Sequence, residues 1–355
     1  MTDGLLDTPA LLVDLDRLEA NIIHIARACR DNGVAWRPHF KGHKTLEIAR
    51  MQLAAGATGL TCAKLGEAEV LAAGGVTGIL IANQIVGEPK IARLMALKAD
   101  VIVSVDSEAN VAELAEAAKA ASKIQTVVIE VNIGMNRAGV EPGAPVVALA
   151  DIIARHSSLR LTGVMGWEAQ TTTIADPAEK ERAVANAIAL LTGSATVCRA
   201  AGHDMSIVSC GGTGTLLYCV RQPGVTEVQV GGGIFCDEHY RTHYNVDLPC
   251  ALTVLATVIS RPTTTRVILD AGKKAMSGDS ALPRPLGLAA RAVKLSAEHA
   301  AIELETPSLA PQIGDTVELV VGYTDTTVHL HERMVTRRGG VVEGAWTIAG
   351  RGRIK

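Results

Sequence analysis

A TIM-like (β/α)8 barrel followed by a smaller antiparallel β domain, α/β overall, is the fold class that this sequence predicts. Three observations carry it. Short, continuous, β-branched strands alternate with helical stretches from Trp36 onward, Thr126-Val127-Val128-Ile129 being the clearest. Such runs belong to parallel strands covered on both faces. About eight of these strands can be counted, in units of roughly 25 residues. After about His243 the helical periodicity stops and strand-like segments continue between turns. An open doubly wound sheet is the rival arrangement, but no GxGxxG follows the first strand.

In chain order, Thr8 to Asp14 reads as a strand, and Asp16 with Glu19 three residues on reads as a capping box. Leu18, Ile22, Ile25 and Cys29 form the buried stripe of the helix that follows, and Gly33 stops it. Trp36 to Phe40 is the first barrel strand. The others are Thr58 to Ala63, Gly78 to Asn83, Asp100 to Asp106, Gln125 to Asn132, Arg160 to Trp167, Met205 to Cys210 and Val225 to Val230. Six further strand-like segments lie between Cys250 and Arg337, with no clear helix. The barrel is placed at residues 15–243 and the β domain at 244–355, with residues 1–14 adding a strand from the other end.

Hydrophobic residues make up 48% and charged residues 20%, enough to bury a large core. A net charge of -3 gives no reason to expect nucleic acid or a membrane surface as partner. No apolar run approaches membrane-spanning length, and Met1-Thr2-Asp3-Gly4 does not begin a signal peptide. The seven cysteines are scattered without CxxC pairs, which points to a reducing cytoplasm and away from cysteine-bound metal.

The chemistry centres on Trp36-Arg37-Pro38-His39-Phe40-Lys41-Gly42-His43-Lys44-Thr45, where Lys41, His43 and Lys44 crowd three basic groups together. A lysine at a strand end among cations loses its proton more readily, and a neutral lysine attacks carbonyls to form a Schiff base. The plain alternative is a solvated basic loop. Active sites of such barrels lie at the C-terminal ends of strands. Arg137 and Glu168 fall there, as do two glycine clusters, Gly211-Gly212-Thr213-Gly214-Thr215 and Gly231-Gly232-Gly233. Loops after the last two strands are the usual phosphate site of a barrel. A carbonyl-binding lysine with a phosphate cradle implies pyridoxal 5′-phosphate (PLP).

The chain resembles the D-threonine aldolase and eukaryotic-type D-serine dehydratase family, which has the alanine-racemase-like PLP fold. The resemblance rests on Arg37 to Lys44, Gly134-Met135-Asn136-Arg137-Ala138-Gly139-Val140, Gly211 to Thr215, Asp270-Ala271-Gly272 and Asp325-Thr326-Thr327-Val328-His329-Leu330-His331, and it spans Thr8 to Gly352. It implies Lys41 as the PLP lysine and Arg137 near the cofactor's phenolic oxygen. Gly212, Thr213, Gly214, Thr215, Gly231 and Gly232 would lie around the phosphate, and His43 beside the reacting centre. It also implies a homodimer with shared active sites and a small amino-acid substrate. The implied reaction is retro-aldol cleavage of a β-hydroxy-D-amino acid to glycine and an aldehyde. A D-serine dehydratase-like reaction, a racemase and a PLP-binding regulator without turnover are the alternatives.

Two departures from the family bear on chemistry. Members hold a divalent metal (Mn²⁺, Mg²⁺ or Zn²⁺) through His-x-Asp or His-x-Cys, but the matching positions here are Tyr323 and Asp325, with His329 a candidate substitute ligand. Where aldolases carry Ala-Tyr-His/Gln-Gly, this chain has Gly166-Trp167-Glu168-Ala169. Glu168 is expected either to face the PLP ring or to pair with a cation, Lys44 or Arg137. Gly233 stands where the last glycine loop usually has a tyrosine, which widens the pocket or relaxes its shape.

Overall fold

The computed structural model describes residues 6–355; the reading of Met1 to Gly4 lies outside the described residues. The chain divides into two compact units: residues 24–41, 48–231 and 353–355, and residues 1–23, 42–47 and 232–352. In chain order the elements begin with β1 (Ala10–Asp14), α1 (Leu15–Asp31), β2 (Ala35–Trp36), α2 (Leu46–Ala54), β3 (Thr61–Cys62), α3 (Leu65–Ala73), β4 (Ile79–Gln84) and α4 (Glu88–Ala96). They continue with β5 (Val101–Val105), α5 (Glu108–Ala120), β6 (Gln125–Glu130), α6 (Ala144–Ala154), β7 (Leu159–Met165), α7 (Pro177–Ala200), β8 (Ile207–Cys210), α8 (Leu216–Cys219) and β9 (Glu227–Val228).

Strands β2 to β9 form one parallel sheet in the order β2-β9-β8-β7-β6-β5-β4-β3. A parallel bridge between His39 and Thr61 joins its two ends, closing a barrel. The first strand is shorter than expected. Pro38 has no N–H to donate, so beyond Trp36 the pairing continues through Arg37 N–H to Val228 O (3.0 Å) and His39 N–H to Gln229 O (3.2 Å) on one side and Thr61 N–H to Pro38 O (2.9 Å) on the other. Phe40 to Gly42 then tightens into one 3-10 turn. Val127, Val128 and Ile129 are all fully buried, as strands covered on both faces require. Leu80, Val128 and Met165 pack as one cluster with Ala82, Ile102 and Ile207. Burying each large side chain contributes about 1.5–3 kcal/mol.

Against the expectation that no segment reaches membrane-spanning length, α7 is a helix of 24 residues with the length and apolar composition to do so. Val184, Ala187, Ile188, Leu191, Ala195 and Cys198 make a buried stripe at spacings of three and four, and the helix packs on α6 and β7. That is the pattern of a barrel's outer helix.

The second unit holds β1, the start of α1, α9 (Glu238–Tyr244) and β10 (Leu252–Thr263) to β17. The remaining strands are β11 (Arg266–Leu269), β12 (Arg284–Pro285), β13 (Ala290–Leu295), β14 (Ala300–Leu304), β15 (Thr316–Val320), β16 (Arg333–Arg338) and β17 (Val341–Thr347). Its main path runs β13-β14-β11-β10-β1-β16-β17, with β15 on β10 and β12 on β15. The domain is not purely antiparallel. β1 pairs antiparallel with β10 but parallel with β16, because a strand from the far end of the chain is not constrained by a hairpin. Leu18, Ile22, Ile25 and Cys29 are buried, as their spacing predicts. The cap of α1 differs: Asp14 Oδ1 accepts the Arg17 N–H (3.0 Å), while Asp16 and Glu19 hold Arg338 (2.6 Å each).

Candidate active site

In the barrel unit, Lys41 sits in the 3-10 turn just past His39, its backbone N–H donating to His39 Nδ1 (3.3 Å). Its Nζ lies 5.4 Å from the centre of the Trp167 ring. The Arg137 guanidinium, in the loop after β6, lies 5.5 Å from the centre of the same ring. Arg137 also stands 3.6 Å from the Glu130 carboxylate at the end of β6. Burial pushes the Glu130 carboxyl above its ordinary range, against its hydrogen bond from Gln84 and the charge of Arg137. Two basic side chains far apart in sequence thus meet on Trp167, at a distance where a ring face attracts cations. Sequence reasoning passed over Trp167. With aromatic residues only 3% of the chain, a tryptophan at the end of a barrel strand was the available signal.

The loop after β8 is the other half of this arrangement. A Cβ at Gly212 would come within 2.9 Å of Trp167 Nε1, so only glycine allows this approach. Trp167 Nε1 is itself buried without a hydrogen-bond partner among the described residues. The backbone N–H groups of Thr213 and Gly214 also have no acceptor there. Unmet N–H donors in one glycine turn form a cradle for an anionic oxygen. Gly231, after β9, packs on the lysine-bearing segment, where a Cβ would meet His39 O at 2.4 Å.

Glu168 lies elsewhere than expected. It is fully buried, and its oxygens accept from Thr215 Oγ1 (2.5 Å), Cys219 Sγ (3.2 Å) and Gly211 N–H (3.3 Å). None of these partners is a cation, and all belong to the glycine loop and α8, so neither the ring-facing nor the cation-paired reading describes it. Glu168, Cys210 and Cys219 have ligand-type atoms within 4.8 Å of one another. The Cys219 thiol is held well above its ordinary value by its hydrogen bond with Cys210, then by burial and by Glu168. It stays a thiol and donates, so the cluster is a hydrogen-bonded set.

In the other unit, His43 is fully buried. Its Nδ1 accepts the Thr45 N–H (3.3 Å), which puts the proton of the neutral ring on Nε2. Lys44 has a positive φ of 53°, a strained conformation that the Gly350 N–H to Lys44 O bond (2.8 Å) helps hold. The glycine at 233 does not leave its loop relaxed. The Tyr240 hydroxyl of α9 comes within 2.2 Å of where a Gly232 Cβ would stand, so a tyrosine reaches this loop from the next helix. That residue, too, was missed in the sequence.

The implied metal can be tested on the donor chemistry of Tyr323 and Asp325. Burial first, and the Asp325 charge second, push the Tyr323 phenol far above its ordinary value. A phenol hydrogen-bonded to Asp325 is a poor donor beside the imidazole of a histidine–carboxylate pair, so on donor chemistry these two residues do not fit a divalent cation. His329 is exposed, and the His331 Nε2–H is spent on Ala275 O (2.6 Å), so neither replaces the missing histidine. The imidazole beside Tyr323 is instead His239 of α9, 4.9 Å between ring centres. Burial, then His243, lower its pKa and keep it neutral. Asp237 ties α9 to this loop, accepting the N–H groups of Tyr240 and Thr324 (2.8 Å each).

The family model for the alanine racemase N-terminal domain matches residues 13–239, and that for a putative serine dehydratase domain matches residues 251–337. A D-threonine aldolase from Arthrobacter sp is 34% identical over 98% of this chain and 93% of the relative. A 3-hydroxy-D-aspartate aldolase from Paracoccus denitrificans is 30% identical over 99% of this chain and 94% of the relative. The crystal structure of D-threonine aldolase from Filomicrobium marinum matches with a TM-score of 0.96 at 33% identity, covering 100% of this chain and 98% of that one. D-threo-3-hydroxyaspartate dehydratase from Delftia sp. HT23 matches with a TM-score of 0.86 at 28% identity, covering 98% of each chain.

Proposed function

Because the chain belongs to the alanine racemase N-terminal-domain family, coupled to a dehydratase-type β domain, we propose that it is a PLP-dependent aldolase cleaving β-hydroxy-D-amino acids to glycine and an aldehyde. The observation that carries the reading is the meeting of Lys41 and Arg137 on Trp167 beside a glycine turn with unmet N–H donors. A lysine that binds carbonyls, a guanidinium for a phenolic oxygen and a cradle for a phosphate fit PLP. When bound, that group supplies an electron sink for the pair released as Cα–Cβ breaks.

The chain's own residues do the rest. Lys41 anchors the aldehyde end through Nζ, while Arg137 keeps a positive charge against Trp167 and Glu130. Thr213, Gly214 and Trp167 present N–H groups to an anion. His43, which the family resemblance implies beside the reacting centre, carries its proton at Nε2. Taking up the β-hydroxyl proton at that atom requires the ring to exchange its Thr45 contact. No step is assigned to a metal, since Tyr323 and Asp325 do not fit one. A homodimer and a cytoplasmic location complete the proposal, the second supported by seven buried cysteines without a disulfide.

Two measurements test this. Lys41→Ala is expected to abolish the visible-edge absorbance of lysine-linked PLP; a variant that keeps it refutes the assignment. With D-threonine the expected products are glycine and acetaldehyde, formed equally in the presence of a chelator. The Delftia dehydratase likeness favours one second reading, in which 2-oxobutyrate appears instead. L-allo-threonine, the product of inversion at Cα, would mark a racemase.

A further inference from the structure

We infer that Glu168 is a positioning residue that sets the shape of the phosphate-binding loop from within the barrel wall, an inference that rests on the cofactor reading above. Its three partners lie 43 to 51 residues downstream, and all belong to the segment from Gly211 to Cys219. With no cation among its partners, the buried carboxylate is satisfied only while that segment holds its conformation. An unsatisfied buried acceptor is costly, so the coupling runs both ways.

Thr215 shows how the coupling reaches the loop. Its hydroxyl donates its one proton to Glu168 Oε1 (2.5 Å) and accepts the Gly212 N–H (3.1 Å). It therefore has no proton left for a phosphate, which changes its role from ligand to brace. Gly212 is held with its N–H turned inward, and the N–H groups of Thr213 and Gly214 in the turn that follows have no acceptor among the described residues. Cys219, kept as a thiol, adds a third neutral donor from α8. The adjacent Trp167 brings its unmet Nε1–H to the other side of Gly212. One dipeptide thus shapes the turn with one side chain and lines it with the other.

The test is a titration of the full chain, stripped of cofactor, with PLP and with pyridoxal, which lacks the phosphate. Glu168→Gln keeps an acceptor for Thr215 but places an amide N–H against the Gly211 N–H, and Glu168→Ala removes both acceptors. Both are expected to weaken PLP about tenfold or more, the equivalent of one charged hydrogen bond, while pyridoxal affinity is unchanged. Thr215→Val should reproduce the loss and Thr215→Ser should restore it. These two decide the matter if the Glu168 variants fail to fold. Equal weakening of PLP and pyridoxal, or none, overturns the inference. Failure of the wild-type chain to bind PLP would instead overturn the cofactor reading.

Discussion

Glu227 and Glu168 are both sealed inside the barrel unit, yet they are satisfied in opposite ways. Glu227 faces the Arg37 guanidinium, which donates Nε to both of its oxygens (3.1 Å each) and NH2 to Oε2 (2.9 Å). Arg37 NH1 also donates to the Gly78 carbonyl. This group of residues ties the first strand to the last and to the chain ahead of β4. Glu168 has only a hydroxyl, a thiol and an amide. A carboxylate matched by a fixed opposite charge makes a strut, whereas one matched by the donors of a single loop makes that loop's shape a condition of its own stability. Motif recognition sees both as acidic residues near strand ends; only their partners separate them.

The largest effect expected from this contrast is on the strut. Arg37→Met leaves Glu227 buried without its partner and is expected to cost about 3–5 kcal/mol, read as a fall in the urea midpoint. Adding Glu227→Met should recover much of the loss, since a buried pair exchanged for apolar side chains is often neutral. If the single variant matches wild type, the strut reading is wrong.

A smaller and pH-dependent effect is expected at Asp237, a buried carboxyl whose partners are backbone amides. Burial pushes it up from 3.8 to about 7, against the hydrogen bonds from Tyr240 and Thr324. A raised folded-state value means its contribution to stability is fully present below 3.8 and is lost as pH rises through about 7. Urea midpoints measured across that window should fall with rising pH in the wild type, and the slope should flatten in Asp237→Asn. An unchanged slope would assign the dependence to other groups.

The smallest effect is expected at the surface. Arg338 pairs with Asp16, Glu19 and Glu343, all largely exposed. Arg338→Ala should leave the urea midpoint close to that of the wild type, and closer still in high salt. A loss comparable to that of Arg37→Met would show that number of pairs, rather than burial, governs these ions.

The barrel was legible because its strands, such as Thr126 to Ile129, must be apolar on both faces, and that leaves a continuous signature. The lysine segment and the glycine turns were legible as motifs. Short or exposed strands were not: β12 has two residues, and most of β17 faces solvent, so neither carries a hydrophobic pattern. Glu168 was found but misread, because nothing local to Trp167-Glu168-Ala169 reveals partners in a loop more than forty residues on. Tyr240 and His239 escaped for the same reason. They belong to a helix of seven residues, too short for periodicity to signal, and their neighbours come from distant parts of the chain.

The placement of β1 carries a consequence for how this chain is made. Ala10 pairs with Leu255 and Leu12 with Val335, so the first strand to leave the ribosome waits for partners 245 and 323 residues behind it. The barrel segment from 48 to 231 is synthesised in full during that delay, whereas the β sheet can be finished only near the end of translation. Until then Leu11, Leu12 and Val13, which end up buried, form an apolar strand without its neighbours, the kind of unpaired segment through which incomplete chains associate.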